Sequence, residues 1–171
     1  MKVAIVGHRK VQNKEELVGR IYDTLTDLVE NQGADTFLFG SKGEFDRLCF
    51  DVVTEMRKIY PHIRRVYVRA QYEEITKFYE EYLLENYEET FFPDKVHGSN
   101  ELCYIVRNFC MIEMCDMLLT YYDDNYLPPS KTTKNKMLAH ACCNKKSQSG
   151  TCMAVRYAKR RKKKIINLFE A

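Results

Sequence analysis

Two stretches decide the fold: Val3-Ala4-Ile5-Val6-Gly7 and Thr36-Phe37-Leu38-Phe39-Gly40. Each is a short apolar run closed by a glycine, the signature of a buried strand that ends in a sharp turn. Between them, Leu17, Val18, Ile21, Leu25, Leu28 and Val29 recur at helical spacing across Lys14–Glu30. Asn13 and Glu16 stand at capping-box spacing before that run, and Gly33 follows it as a C-terminal cap. Strand, helix, strand over so short a span predicts a parallel pair joined by a crossover.

The alternation continues outward. A second helix carries Phe45, Leu48, Cys49, Val52, Val53 and Met56 and is stopped by Pro61. Val66–Val68 reads as a third strand. Tyr72–Leu84 reads as an acidic, tyrosine-rich helix, and Glu88–Ser99, with Pro93 and Gly98, as a loop with room for a short strand. A helix over Asn100–Met114 leads to a fourth strand at Met117–Tyr121. A final helix over Thr151–Lys162 leads to a fifth strand at Ile165–Phe169. The expectation is one α/β domain over residues 1–171, a mostly parallel sheet of about five strands between two helical layers. Asp123–Ser147, with two prolines and many polar residues, reads as a long surface loop of the kind that often serves as a functional lid.

Composition narrows the function classes. Hydrophobic residues make up 45% of the 171 and charged residues 30%, ordinary for a soluble globular chain. Lys and Arg number 27 against 24 Asp and Glu, and a net charge of +3 argues against a dedicated nucleic-acid wrapper. No apolar run reaches the roughly 18–20 residues of a membrane span, and the run at the N-terminus is too short for a signal peptide. A cytoplasmic location follows as the expectation. The seven cysteines are odd in number and lack the paired spacing of zinc sites, so reduced thiols and no metal are expected.

Ligands of open α/β sheets sit at the carboxyl ends of the strands. Three loops there could carry chemistry. After the first strand, Gly7-His8-Arg9 combines a turn with basic side chains. After the second, Gly40-Ser41-Lys42-Gly43-Glu44-Phe45-Asp46 opens into a helix, where free N–H groups and the dipole suit a phosphate. Ser149-Gly150-Thr151 opens the last helix and reads either as a third anion loop or as a plain cap. Arg107 projects off the face of Ile105, Phe109 and Ile112, free in this reading to reach solvent and grip a phosphate, with Asn108 beside it. Tyr122 and Tyr126 are candidates to stack on a base. The run Arg160–Lys164 closes a helix at the opposite sheet edge and reads as a solvated cap rather than a nucleic-acid patch.

In order and placement these motifs resemble the SLOG superfamily, named for the Smf/DNA-processing protein A proteins and the lonely-guy cytokinin-activating enzymes. The residues that carry the resemblance are Gly7-His8-Arg9, the Gly40–Asp46 loop, Arg107-Asn108-x-x-Met111-Ile112 before Asp116, and Ser149-Gly150-Thr151. It spans Lys2 to Phe169 and looks closest to the small stand-alone SLOG proteins of Firmicutes and their phages. The resemblance implies a Rossmann-like fold that binds a nucleotide or an NAD- or ADP-ribose-derived ligand, with no cofactor. Other SLOG domains sense such signals in bacterial antiviral systems, and homo-oligomers are common among them. The lonely-guy enzymes instead cleave the N-glycosidic bond of nucleoside monophosphates, and DNA-processing protein A binds single-stranded DNA. Where the lonely-guy signature has Lys and a catalytic Glu, this chain has Asn108 and Ala154. Catalysis would then fall to Asp46 or Glu44.

Overall fold

A computed structural model describes residues 1–97, 102–126 and 149–169. The chain runs β1 (Lys2–Gly7), α1 (Lys14–Glu30), β2 (Thr36–Phe39), α2 (Glu44–Met56), β3 (Arg64–Val68), α3 (Lys77–Leu84), β4 (Glu89–Phe91), α4 (Leu102–Met114), β5 (Met117–Tyr121), α5 (Gly150–Arg160) and β6 (Lys164–Asn167). The strands form one six-stranded sheet in the order β4-β3-β2-β1-β5-β6. All neighbours pair in parallel. The sheet therefore has one strand more than the five expected. The addition is β4, a three-residue edge strand too short to show the alternation by which strands are read.

Side chains of successive strand residues point to opposite faces, and the core divides accordingly. Val3, Ile5, Phe37, Phe39, Met117, Leu119 and Tyr121 join the layer beneath α1 and α2. Ala4, Val6, Leu38, Val66, Val68 and Leu118 join the layer beneath α4 and α5. Because both faces are covered, the central strands are apolar throughout rather than alternating. This doubly covered sheet is the Rossmann-like three-layer architecture.

Tertiary contacts overrule several local expectations. Asn13 is left-handed (φ 46°) and makes no side-chain cap to α1. Glu44 of α2 secures the entry to that helix instead, accepting from the Val11 amide at 3.1 Å and from the amines of Lys10 and Lys14 at 2.9 and 3.2 Å. Gly33 does turn the chain after α1, at φ +70°. The Ala34 amide there donates to the Leu28 carbonyl at 2.8 Å. Helix α3 begins at Lys77, not Tyr72, because Arg69 takes the carbonyls of Tyr72 and Glu73 at 2.6 and 3.3 Å. Thr76 then caps it, its hydroxyl accepting from the Tyr79 amide. Of the long loop expected over Asp123–Ser147, only Asp123–Tyr126 lies within the described residues.

Candidate functional site

The strand order reverses between β1 and β5. In such sheets the crevice at the reversal, beyond the carboxyl ends, is where ligands bind. The loop after β1 forms its floor. His8 is 1% exposed, and its amide donates to the Tyr121 carbonyl at 3.1 Å, extending the β1–β5 ladder. Its imidazole lies beneath the loop after β5, stacked on Tyr126 at 3.9 Å and tilted against Tyr122 at 5.6 Å. Nε2 lies 2.9 Å from the Asp123 amide and 3.1 Å from the Asp123 carbonyl, accepting from the first in one tautomer and donating to the second in the other. Burial holds the imidazole below its usual pKa of 6.5, so the ring is neutral at pH 7. That Nδ1 is buried and has no hydrogen-bond partner among the described residues. The Tyr126 hydroxyl is likewise buried and unpartnered among them.

Tyr122 joins this crevice to α5. Its hydroxyl donates to Asp124 at 2.5 Å and lies 3.4 Å from the Cys152 sulfur. Burial and then these bonds push its pKa up, so it remains a neutral phenol. Asn167 clamps the Tyr122 backbone from β6, with both bonds at 2.9 Å. At the start of α5, Ser149 is a helix cap, its hydroxyl accepting from the Cys152 amide at 3.1 Å. The amides of Gly150 and Thr151 are the first of the helix and have no intrahelical acceptor.

The second glycine loop behaves differently. The amides of Gly40 and Ser41 converge on the carboxylate of Asp46, at 3.2 and 3.0 Å, and the Lys42 amide joins them. The anion at this helix N-terminus is thus the protein's own. Asp46 is 4% exposed. Its burial raises the pKa to about 6, against the opposing pull of Arg107 and the loop amides. Arg107 corrects the sequence reading: it does not reach solvent but is 2% exposed. Nη1 donates to the carbonyls of Gly40 at 2.6 Å and Val68 at 2.9 Å, and Nε to the Asn108 side chain at 3.0 Å. A full helical projection overlooks the cost of leaving those strand-end carbonyls unpaired. Gly40 is required by this packing, since a Cβ there would lie 2.5 Å from the guanidinium.

The remaining candidates are brought to the same sheet edge. Gly43 (φ +103°) packs on Arg9, with room for no Cβ. The Glu44 amide donates to the Arg9 carbonyl at 3.0 Å. Gly7 presses against Phe45 in the same way. Glu44 is held at a pKa of about 2 by the Lys10 bond and the Val11 amide. Arg9, Ser41 and Lys42 are exposed. Ser41 and Lys42 turn toward the β3–β4 side, where the Ser41 hydroxyl pairs with Tyr87 at 2.5 Å and the Lys42 amine lies 4.6 Å over the Tyr104 ring. Tyr87 itself stacks on Tyr67 at 5.3 Å. Tyr67, Tyr87 and Tyr104 were beyond sequence reading, because only the pairing of the short strand β4 with β3 brings Tyr87 beside Tyr67. Among the described residues no cluster of His, Cys, Asp and Glu could hold a metal ion, and no helix is long and apolar enough to cross a membrane.

This architecture has a counterpart among solved structures, DNA processing protein A from Helicobacter pylori, which binds single-stranded DNA. The match has a TM-score of 0.57 at 15% sequence identity and covers 96% of this chain. The chain is similar in fold to DNA processing protein A. It spans 63% of that protein's solved chain. No protein-family model matches the chain, and no curated protein does.

Proposed function

We propose that this chain is a SLOG-type module that binds a nucleotide or an NAD- or ADP-ribose-derived ligand in the β1–β5 crevice. The observation that carries the reading is His8: a buried, neutral ring at the strand-order reversal, whose Nδ1 has no hydrogen-bond partner among the described residues. Buried polar atoms almost always have partners, and a nucleobase edge or a ribose hydroxyl supplies one. The ligand's ring takes the place of Tyr126 against the imidazole. Its phosphate meets the free amides of Gly150 and Thr151, with Arg9 as the exposed counter-charge. The Gly40–Lys42 amides, already holding Asp46, shape the floor and leave the phosphate to α5.

Binding is favoured over glycosidic cleavage by the carboxylates. Asp46 is enclosed by loop amides and Glu44 is tied to Lys10, Lys14 and Val11. Ala154, at the position of the lonely-guy glutamate, is fully buried in the α5 core layer. Neither Asp46 nor Glu44 offers a free carboxylate to a departing base.

The test is a thermal-shift series with nucleoside monophosphates, NAD, ADP-ribose and cyclic nucleotides, followed by chromatography of each ligand. A ligand at 100 times its Kd adds about 2.7 kcal/mol. The expected result is a shift with the ligand recovered intact, lost in His8→Phe while that variant still melts cooperatively. Free base in the chromatogram would make the chain an enzyme. The fold similarity to DNA processing protein A favours one second reading, single-stranded DNA binding. That reading requires affinity falling steeply with salt as counterions are released, and no response to mononucleotides.

A further inference from the structure

Two exposed helical faces of this chain match each other in shape and sign. On α3, Phe78, Glu81, Tyr82 and Glu85 follow at i, i+3, i+4 and i+7 and so share one side of the helix and its end. Phe78 is 80% and Tyr82 56% exposed. That is unusual for aromatic rings with no functional or interface role. The stretch Glu73–Glu85 holds Glu73, Glu74, Glu80, Glu81 and Glu85 against the single cation Lys77, which pairs loosely with Glu81 at 3.8 Å. On the other side of the molecule, α4 and α5 border a groove lined by Phe109, Met153, Arg156, Lys159 and Arg160. Met153, Arg156 and Arg160 fall at i, i+3 and i+7, one stripe of α5. Phe109 is held flat against Tyr157 at 4.2 Å and forms an apolar floor. From Gly150 to Lys164 there are seven Lys and Arg residues and no acidic one.

We infer that the acidic aromatic face of α3 docks into the basic α4–α5 groove of a second copy of this chain. One molecule cannot satisfy both faces itself. Helix α3 packs on β4, and α5 packs beside β6, at opposite edges of the sheet. A second copy supplies both complements at once: Phe78 and Tyr82 against Phe109 and Met153, and Glu81 and Glu85 against Arg156 and Arg160. A polyanion would fit the groove alone and leave α3 uncovered. Since the two surfaces differ, the contact is heterologous, and repeating it gives a ring or an open chain rather than an isologous pair. The charges steer the encounter and set the register, while the rings supply the buried apolar area.

The decisive experiment uses two charge-reversed proteins, E81K/E85K and R156E/R160E, with folding checked by circular dichroism. All four positions are exposed, so neither protein loses core contacts. Sedimentation velocity over a wide concentration range is expected to show self-association of the wild type. It should weaken as salt rises from about 0.1 M to about 1 M and the screening length falls from roughly 10 Å to roughly 3 Å. Each variant alone should sediment as a monomer. Mixed, they should associate again, because the intact α3 of one meets the intact groove of the other and the two reversed faces meet with opposite charges. A wild type that stays monomeric at low salt overturns the inference. So do variants that associate as the wild type does, or a mixture that stays monomeric. Loss of nucleic-acid binding in R156E/R160E with self-association unchanged would assign the groove to a polyanion and overturn it too.

Discussion

Replacing Arg107 with Met probes the buried charges beneath the Gly40 loop while keeping most of the side-chain volume. In the wild type Arg107 donates to the Gly40 and Val68 carbonyls, and its charge opposes the desolvation of Asp46. Each hydrogen bond from a charged donor is worth about 1.5–3 kcal/mol, and removing one member of a buried charge pair costs about 3–5 kcal/mol. These overlap, so the expected loss at pH 8 is about 4 kcal/mol, or a Tm drop of roughly 10 °C for a chain of this size. The pH dependence tests the electrostatic part. The Asp46 pKa is raised from 3.8 to about 6 in the folded protein. Its contribution is therefore fully present below pH 3.8 and is lost as pH rises toward 6, by about 3 kcal/mol at 1.36 kcal/mol per unit. Without Arg107 that pKa climbs further, and the loss continues to higher pH. Arg107→Met must therefore cost more at pH 8 than at pH 5. Urea titrations followed by circular dichroism at both values give the two free energies, with an unchanged m-value as the check on two-state unfolding. A loss below about 1 kcal/mol at pH 8, or equal losses at the two pH values, would refute the account of Arg107 as the counter-charge of Asp46.

Gly40→Ala should destabilise the fold by about 1–3 kcal/mol in the same urea assay, because its Cβ drives the buried guanidinium off its carbonyls; a neutral result would remove the steric reason for that glycine. Ser149→Ala should cost about 1 kcal/mol as a lost helix cap yet leave ligand affinity nearly unchanged, whereas a large loss of affinity would make the hydroxyl a ligand contact. Glu44→Gln should alter the acid limb of unfolding. The wild-type carboxylate, depressed to about 2, stabilises the fold above its unfolded value of 4.5 and loses that contribution as pH falls through 2. The variant's stability should vary less over that window, and superimposable acid titrations would dismiss the role of Glu44 in securing the entry to α1.

The sequence by itself determined the helices, five of the six strands and the parallel pairing that strand–helix–strand order demands. Those features are written in local periodicity: Val3–Val6 and Thr36–Phe39 are apolar because both sheet faces are covered, and α1 repeats its apolar residues at helical spacing. It also placed three glycine-bearing loops at one edge, since strand direction follows from the crossovers. Only tertiary structure decided what those loops contain. Asp46 reads from sequence as a candidate catalytic carboxylate at the end of the Gly40 loop, but it fills the nest of that loop. Arg107 looks like an exposed fork, but two strand-end carbonyls claim it. His8 shares the same edge on paper, and only the β1–β5 reversal buries it beneath Asp123 and Tyr126. The physical reason is one of range: apolar spacing reports a residue's own element, whereas the partner of a buried charge or ring nitrogen comes from elsewhere in the chain, chosen by whichever group folding leaves unsatisfied.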